Sequence, residues 1–140
     1  MKAIGLDLGS KTLGIAISDS TGLIARPLET FRFRDDDYQK ALARVIEVVK
    51  AEDINKIILG LPKHMNNDIG IRGQISIDFK EKMETSLPEV SVILIDERLS
   101  SVYVDRLMIL AGLSRQKRKE KKDEQAAVLL LQNYLDTIKK

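Results

Sequence analysis

The chain opens with three short apolar segments, and the gaps between them are too short for crossover helices. The alternation predicts strands over residues 2–8, 13–18 and 23–33, joined as successive hairpins. Pro27 lies within the third segment and favours an edge position, because proline has no N–H for a neighbouring strand. The first third of the chain is therefore predicted to be an antiparallel meander.

Helical and extended patterns alternate in the middle of the chain. Asp36 is predicted to cap a helix whose apolar face repeats at spacings of three and four residues, formed by Leu42, Val45, Ile46 and Val49. Strands are predicted over 57–61 and 90–95. The helix between them has a predicted inner face of Ile71, Ile75, Phe79 and Met83.

The last third is predicted to hold two helices separated by a basic loop. The first helix is capped by Ser100 or Ser101 and runs through Leu110, and Gly112 fits the position just after it. The second starts near Asp123. Its predicted inward residues are Ala127, Leu130, Leu131, Tyr134 and Ile138.

This order of elements predicts an α/β fold with a mixed five-stranded sheet. Strands one, four and five are expected to be parallel, with strand four between the other two and helices on both faces. The chain has 140 residues, which fits a single domain over 1–140.

The amino-acid composition narrows the classes of protein to which this chain can belong. The hydrophobic fraction of 44% can form a core, and the absence of cysteine excludes disulfides, thiolate metal sites and a cysteine nucleophile. The first ten residues lack the apolar region of a signal peptide, and no stretch approaches the ~20 apolar residues that span a bilayer. We expect a cytoplasmic protein without a membrane partner.

The charge is unevenly distributed. The segment 115–122 (RQKRKEKK) carries six basic residues and one acid, in a chain whose net charge is +2. The segment is typical either of a solvated, flexible loop or of a docking place for an anionic partner such as nucleic acid.

Three acids are candidates for a shared metal site. Asp7 follows the first predicted strand and Glu97 the fifth, and Asp123 begins the last helix four residues before inward-facing Ala127. Carboxyl ends of parallel strands meet at one rim of a sheet. Carboxylates without histidine or cysteine suit Mg²⁺ or Mn²⁺, and paired ions of this kind support phosphoryl displacement.

Small residues of one parity on the first two strands leave room for a helix or a phosphate backbone to come close: Gly5, Asp7 and Gly9, then Gly14, Ala16 and Ser18. The alternative is close helix–sheet packing alone.

Basic residues near the same rim are candidate substrate contacts: Lys11, Lys63, Arg72, Arg98, Arg115, Lys117 and Arg118. For Lys11 a solvated turn is the alternative. Arg72 has an equal alternative on the solvent side of its helix. Glu97 can instead pair with Arg98 or Lys63 as a surface ion pair. The lone His64 is predicted to be a loop residue and not a catalyst.

Four blocks in order along the chain resemble one family: IGLDLGSKTLGIAISD (4–19), GLPKHMNNDIGIRG (60–73), IDERLSS (95–101) and KKDEQAAVLLLQ (121–132). They are similar to the YqgF-type proteins, a Holliday-junction-resolvase-like group also described as pre-16S ribosomal RNA nucleases. Ser101, where many members have threonine, and Asn66–Asn67 depart from the family pattern without touching the three acids.

The resemblance implies a ribonuclease-H-like fold, with Asp7, Glu97 and Asp123 as catalytic acids. It implies a nuclease that trims the 5′ end of pre-16S ribosomal RNA, with RNA or pre-ribosomal particles as partners.

Alternative functions remain open at this point. Resolution of branched DNA needs a homodimer, whereas an RNA nuclease can be a monomer. A non-catalytic nucleic-acid-binding module would bind without cleaving. A nucleotide-binding ATPase of the actin and sugar-kinase type has a similar first loop, but the chain has room for only one lobe.

Overall fold

The described part of the chain forms β-strands and α-helices with the following bounds. The computed structural model describes residues 2–62, 70–96, 110–112 and 114–138, with the backbone alone for 118–124. The strands are β1 (Ala3–Leu8), β2 (Thr12–Ser18), β3 (Ala25–Arg32), β4 (Lys56–Leu61) and β5 (Ser91–Asp96). The helices are α1 (Tyr38–Glu52), α2 (Gly70–Ser86) and α3 (Arg115–Ile138).

The sheet has the predicted order and directions. Its order is β3-β2-β1-β4-β5, with β1, β4 and β5 parallel and the first three strands antiparallel. Pro27 lies on the edge strand β3, as predicted, next to a register shift opposite Ile15 and Ala16. The described elements form one sheet, and the single domain over 1–140 stays a prediction.

Helices cover both faces of the sheet, also as predicted. Leu6 and Leu8 of β1 pack in one cluster with α1 and α2, whose contributions include Val45 and Phe79. Ala3 packs in the other cluster with α3. No helix in the described ranges is long and apolar enough to cross a membrane.

The predicted N-cap of α1 is wrong by one residue. Asp37 holds the cap position, while Asp36 has a left-handed φ of 61°. The Asp36 N–H donates to the Ser10 carbonyl at 2.8 Å, a contact made by a turn that is remote in sequence. The apolar face of α1 is confirmed, with Val45 and Val49 buried and Leu42 and Ile46 packed against the core.

Two predicted inward residues lie outward. Ile71 is 80% exposed, because α2 turns Gly73, Ser76, Phe79 and Met83 toward the core. Ile138 is 45% exposed at the end of α3, and Leu135 is buried instead. Both errors fall in the terminal turns of their helices, at the second residue of α2 and the last residue of α3.

The basic segment is helical and not a loop. The helix α3 begins at Arg115, eight residues before the predicted start at Asp123. Lysine, arginine, glutamate and glutamine are good helix formers, and the Ser114 hydroxyl accepts the Lys117 N–H at 3.2 Å. The predicted helix from Ser100 or Ser101 lies outside the described residues except for its end. Gly112 has the φ of +78° expected after a helix.

Candidate active site

Asp7 lies near the carboxyl end of β1, on the face that α3 covers. It is half-buried and opposite Gly14 of β2. A Cβ built on Gly14 would lie 3.7 Å from the Asp7 Cβ and 3.7 Å from the Ala127 Cβ. Asp7 and Ala127 therefore border the same small space, which exists because residue 14 has no side chain.

The helix α3 runs antiparallel to β1. A Cβ on Gly5 would lie 2.7 Å from the Ala127 carbonyl oxygen and 2.8 Å from the Leu131 Cβ, whereas a Cβ on Gly14, the partner of Asp7, would contact Ala127 and not Leu131. The helix backbone upstream of Ala127 therefore leads past the carboxyl end of β1. Position 123 lies one turn before Ala127, on the same side of the helix.

Only one of the three predicted acids has a described side chain. Glu97 lies outside the described residues, directly after β5, which ends at Asp96 opposite Leu61. For Asp123 the backbone alone is described. Within the described ranges no three acids or histidines form a group that could hold a metal, so the metal site stays a prediction.

The parity along β5 is compatible with that prediction. Ile95 packs with the α3 cluster and Leu94 with the opposite one. Residue 97 shares the parity of Ile95, and residue 96 that of Leu94. The sequence parity of residue 97 is therefore that of the face that carries Asp7, and the place of Glu97 stays a prediction.

The structure describes only part of the predicted basic contacts. Lys11 is exposed in the β1–β2 turn, and Arg115 and Lys117 are exposed in the first turn of α3. Position 118 continues the same helix, with its backbone alone described. Lys63, His64 and Arg98 lie outside the described residues. The substrate contacts therefore stay predictions.

Arg72 is engaged by the protein itself. Its Nη1 donates to the Tyr38 hydroxyl and its Nη2 to the Leu8 carbonyl, both at 3.0 Å. The side chain therefore joins the first turn of α2 to the start of α1 and the end of β1, and is not on the solvent side of its helix. Sequence reasoning did not single out Tyr38, since no local pattern links residues 8, 38 and 72.

The β1–β2 turn is held by a backbone hydrogen bond of its own and by backbone donors from the segment between β3 and α1. The Gly9 N–H donates to the Thr12 carbonyl at 2.8 Å within the turn. From outside, the Asp36 N–H reaches Ser10 and the Phe33 N–H reaches Lys11. The segment that connects β3 to α1 therefore braces the β1–β2 turn through its backbone.

Tyr38 connects this brace to Arg72. Its hydroxyl donates to the Asp36 Oδ1 at 2.9 Å and accepts from Arg72. Burial raises the pKa of the Tyr38 hydroxyl, and the hydrogen bond from Arg72 opposes that rise. The hydroxyl stays protonated near neutral pH and can fill both roles.

Comparisons with known proteins agree with this architecture. A Staphylococcus epidermidis protein named "Putative pre-16S rRNA nuclease" is 44% identical over 137 residues, covering 98% of this chain and 96% of the relative. Thermus thermophilus RuvC, solved with a Holliday junction substrate, superimposes with a TM-score of 0.62 at 16% identity. That match covers 99% of this chain and 95% of RuvC.

A viral structure shows the same fold. The fowlpox virus Holliday junction resolvase matches with a TM-score of 0.58 and 16% identity, over 98% of this chain and 99% of the resolvase. These similarities confirm the ribonuclease-H-like fold that the sequence resemblance implied. A family model described as "RuvX: Holliday junction resolvase" matches residues 1–137. Since that match spans nearly the whole chain, this protein belongs to the RuvX family.

Proposed function

We propose that this chain is a divalent-metal-dependent nuclease that processes the 5′ end of pre-16S ribosomal RNA. The observation that carries the proposal is the position of Asp7, half-buried at the carboxyl end of β1 where the backbone of α3 passes. The nuclease activity is supported by family membership, and the RNA substrate by the name of the relative at 44% identity.

The residues present fit a hard cation. Asp7 supplies carboxylate oxygens, position 97 is the acid that directly follows β5 in the sequence, and position 123 is an acid one helical turn before Ala127. This donor set suits Mg²⁺ or Mn²⁺. When bound, such ions supply charge neutralisation and an activated water for displacement at phosphorus.

The chain's own residues have separate tasks in this proposal. Asp7, Glu97 and Asp123 would hold the cation, Asp7 from a half-buried position near the end of β1. Arg115 and Lys117 are exposed in the first turn of α3, upstream of position 123. They would contact the phosphate chain of a substrate and lead it toward the acids, with Lys11 on the adjacent turn.

A substrate panel tests the proposal. Pre-16S ribosomal RNA ends, single-stranded RNA, single-stranded DNA and four-way junctions are offered to the protein with Mg²⁺, with Mn²⁺ and with neither. We expect metal-dependent cleavage of the ribosomal RNA ends, and loss of that cleavage in Asp7→Asn. Equal cleavage by wild type and Asp7→Asn would contradict the assignment.

Resolution of Holliday junctions is the second candidate, because the family description names that activity. It requires two copies of the site facing one branched substrate, and therefore a homodimer. Symmetric nicking of the four-way junction together with a dimer in sedimentation experiments would favour it. A protein that binds all four substrates and cleaves none would instead be a binding module.

A further inference from the structure

The carbonyl of Leu8 points away from the antiparallel side of the sheet. The Gly9 N–H bonds to Thr12 of β2, so the odd-numbered residues of β1 direct their N–H and C=O groups toward β2. Along a strand these directions alternate, and the even-numbered residues direct theirs toward β4. The Leu8 carbonyl therefore needs a donor from the β4 side.

The β4 strand cannot supply that donor. Pairing between β1 and β4 ends at Leu6 and Leu59, although both strands continue for two residues. Continuing the register would place Leu8 opposite Leu61, and the Leu8 carbonyl would accept from the N–H of the next residue. That residue is Pro62, which has no N–H. The hydrogen bonding between β1 and β4 therefore leaves the Leu8 carbonyl, one residue after Asp7, without a donor from β4.

Arg72 supplies the missing donor. Its Nη2 reaches the Leu8 carbonyl at 3.0 Å, and its Nη1 is fixed at 3.0 Å by the Tyr38 hydroxyl. Tyr38 is fixed in turn by Asp36, whose N–H holds the Ser10 carbonyl. The end of β1 is thus attached to the first turns of α1 and α2 through one guanidinium.

We propose that Arg72 is a positioning residue that replaces the absent N–H of Pro62, and that Tyr38 orients it. The pair fixes the Leu8–Gly9 peptide and hence the strand end that carries Asp7. This inference rests on the proposed nuclease function. It gives Arg72 a role through the protein backbone and not as a contact to substrate phosphate.

Two variants separate these roles. Arg72→Lys keeps the positive charge that a phosphate contact needs but loses the planar two-pronged geometry. Tyr38→Phe removes one hydroxyl and no charge. We expect each to lower kcat for RNA cleavage about tenfold, since small misplacement of a catalytic group is costly. RNA affinity measured without divalent metal should change less than about twofold.

The double variant is a further readout. If both residues act through one contact, Arg72→Lys with Tyr38→Phe should be no slower than the slower single variant. Multiplication of the two losses would overturn the proposal. Wild-type kcat and RNA affinity in Arg72→Lys would also overturn it, because a phosphate contact needs only the charge that lysine keeps.

Matched controls exist elsewhere in the chain. The Tyr134 hydroxyl accepts a hydrogen bond from the Lys56 Nζ at 3.0 Å, remote from the β1 end. The Arg44 guanidinium bridges α1 to Glu29 of β3 with two hydrogen bonds. Tyr134→Phe and Arg44→Lys should leave kcat unchanged, because they alter similar bonds at other places.

A measurement without turnover separates this inference from the nuclease proposal. In Tyr38→Phe we expect faster hydrogen exchange at the Gly9 and Asp36 amides and several-fold weaker Mn²⁺ binding by calorimetry, with neither change in Tyr134→Phe. Wild-type exchange and Mn²⁺ affinity in Tyr38→Phe would overturn the inference. Faster exchange at Gly9 together with an active Asp7→Asn would leave the bracing intact and overturn the nuclease site.

Discussion

On the α1 and α2 side of the sheet, β1 presents Leu6 and Leu8, whereas on the α3 side it presents Ala3, Gly5 and Asp7. The first face is packed with large aliphatic side chains that are almost completely buried. On the second face, the glycine at position 5 lets the backbone of α3 come so close that a Cβ there would lie 2.7 Å from the Ala127 carbonyl oxygen.

Side-chain hydrogen bonds also attach α3 to the sheet. The Gln132 side chain accepts from the Ala25 N–H at 2.8 Å and donates to the Leu23 carbonyl at 3.0 Å. The Lys56 Nζ bonds the Tyr134 hydroxyl and lies over its ring. One face therefore provides the bulk of the core, while the other sets a close distance between a helix and a strand. The metal site proposed between β1 and α3 depends on the close approach at Gly5, whereas the Lys56–Tyr134 bond lies beside Ala3 at the start of β1.

The largest effect is expected on the rate of RNA cleavage, when Asp7 on the α3 face is replaced. Asp7→Asn should lower RNA cleavage by at least about a hundredfold, more than is typical for groups that only support a metal ligand. Its free energy of unfolding should change little, because asparagine has the same shape. Single-turnover cleavage and urea denaturation measure the two quantities. Asp78→Asn, on the exposed side of α2, is the control and should cleave normally.

On the opposite face of the sheet, the main effect of a substitution should be on the free energy of unfolding. Leu6 is fully buried in the cluster with α1 and α2, so Leu6→Ala should cost about 2–5 kcal/mol of unfolding free energy. Denaturant midpoints with an unchanged slope measure it. Leu23→Ala, at a side chain that is 44% exposed, should stay within about 0.5 kcal/mol. A cost below about 1 kcal/mol for Leu6→Ala would mean that this face does not hold the core.

A methyl group added at Gly5, which precedes Leu6 in the strand and lies on the other face, tests how closely α3 is packed. Gly5→Ala would bring a Cβ within 2.8 Å of Leu131 and should destabilise by about 1–3 kcal/mol. Gly14→Ala adds the same atom at ordinary contact distances of 3.7 Å and should be nearly neutral in stability. Thermal denaturation compares the pair. Equal costs would show that α3 moves freely enough to accept either side chain.

The smallest loss of unfolding free energy is expected when the Gln132 side chain, which bonds the backbone at Leu23 and Ala25, is removed. Gln132→Ala leaves the half-buried Ala25 N–H without its acceptor and should cost about 1 kcal/mol. Asn133→Ala, one residue along and exposed, should cost no more than its change in helix propensity. Urea denaturation of both variants gives the difference. If the two costs are the same, the bonds to β3 do not stabilise the α3 face.

Local patterns predicted most of the fold. Period-two alternation placed Gly5 and Asp7 on one face of β1 and Leu6 on the other, and the gap lengths predicted which strands are parallel. The helical stretch through Arg115 and Lys117 was missed, because a run of charged residues has no apolar periodicity although its residues favour helix. Ile71 was misplaced, because spacing alone does not show where a helix leaves the sheet.

The candidate site was predicted less completely. The sequence placed Asp7 at the carboxyl rim, and the resemblance pointed to the same acid together with Glu97 and Asp123. The roles of Asp7 and of the exposed Lys11 stay predictions, since the described residues carry one acid of the three. The link from Tyr38 through Arg72 to Leu8 could not be predicted, because it joins three elements that are remote in the chain.

By itself the sequence determined the strand parity, the absence of thiol chemistry and the acid near the carboxyl end of the first strand, because alternation and residue type are local properties. The tertiary structure alone decided that Arg72 supplies a donor where Pro62 has none, and that α3 approaches Gly5 so closely. Such contacts depend on how helices settle on a twisted sheet, and that arrangement is fixed by the packing of the whole core rather than by any one segment.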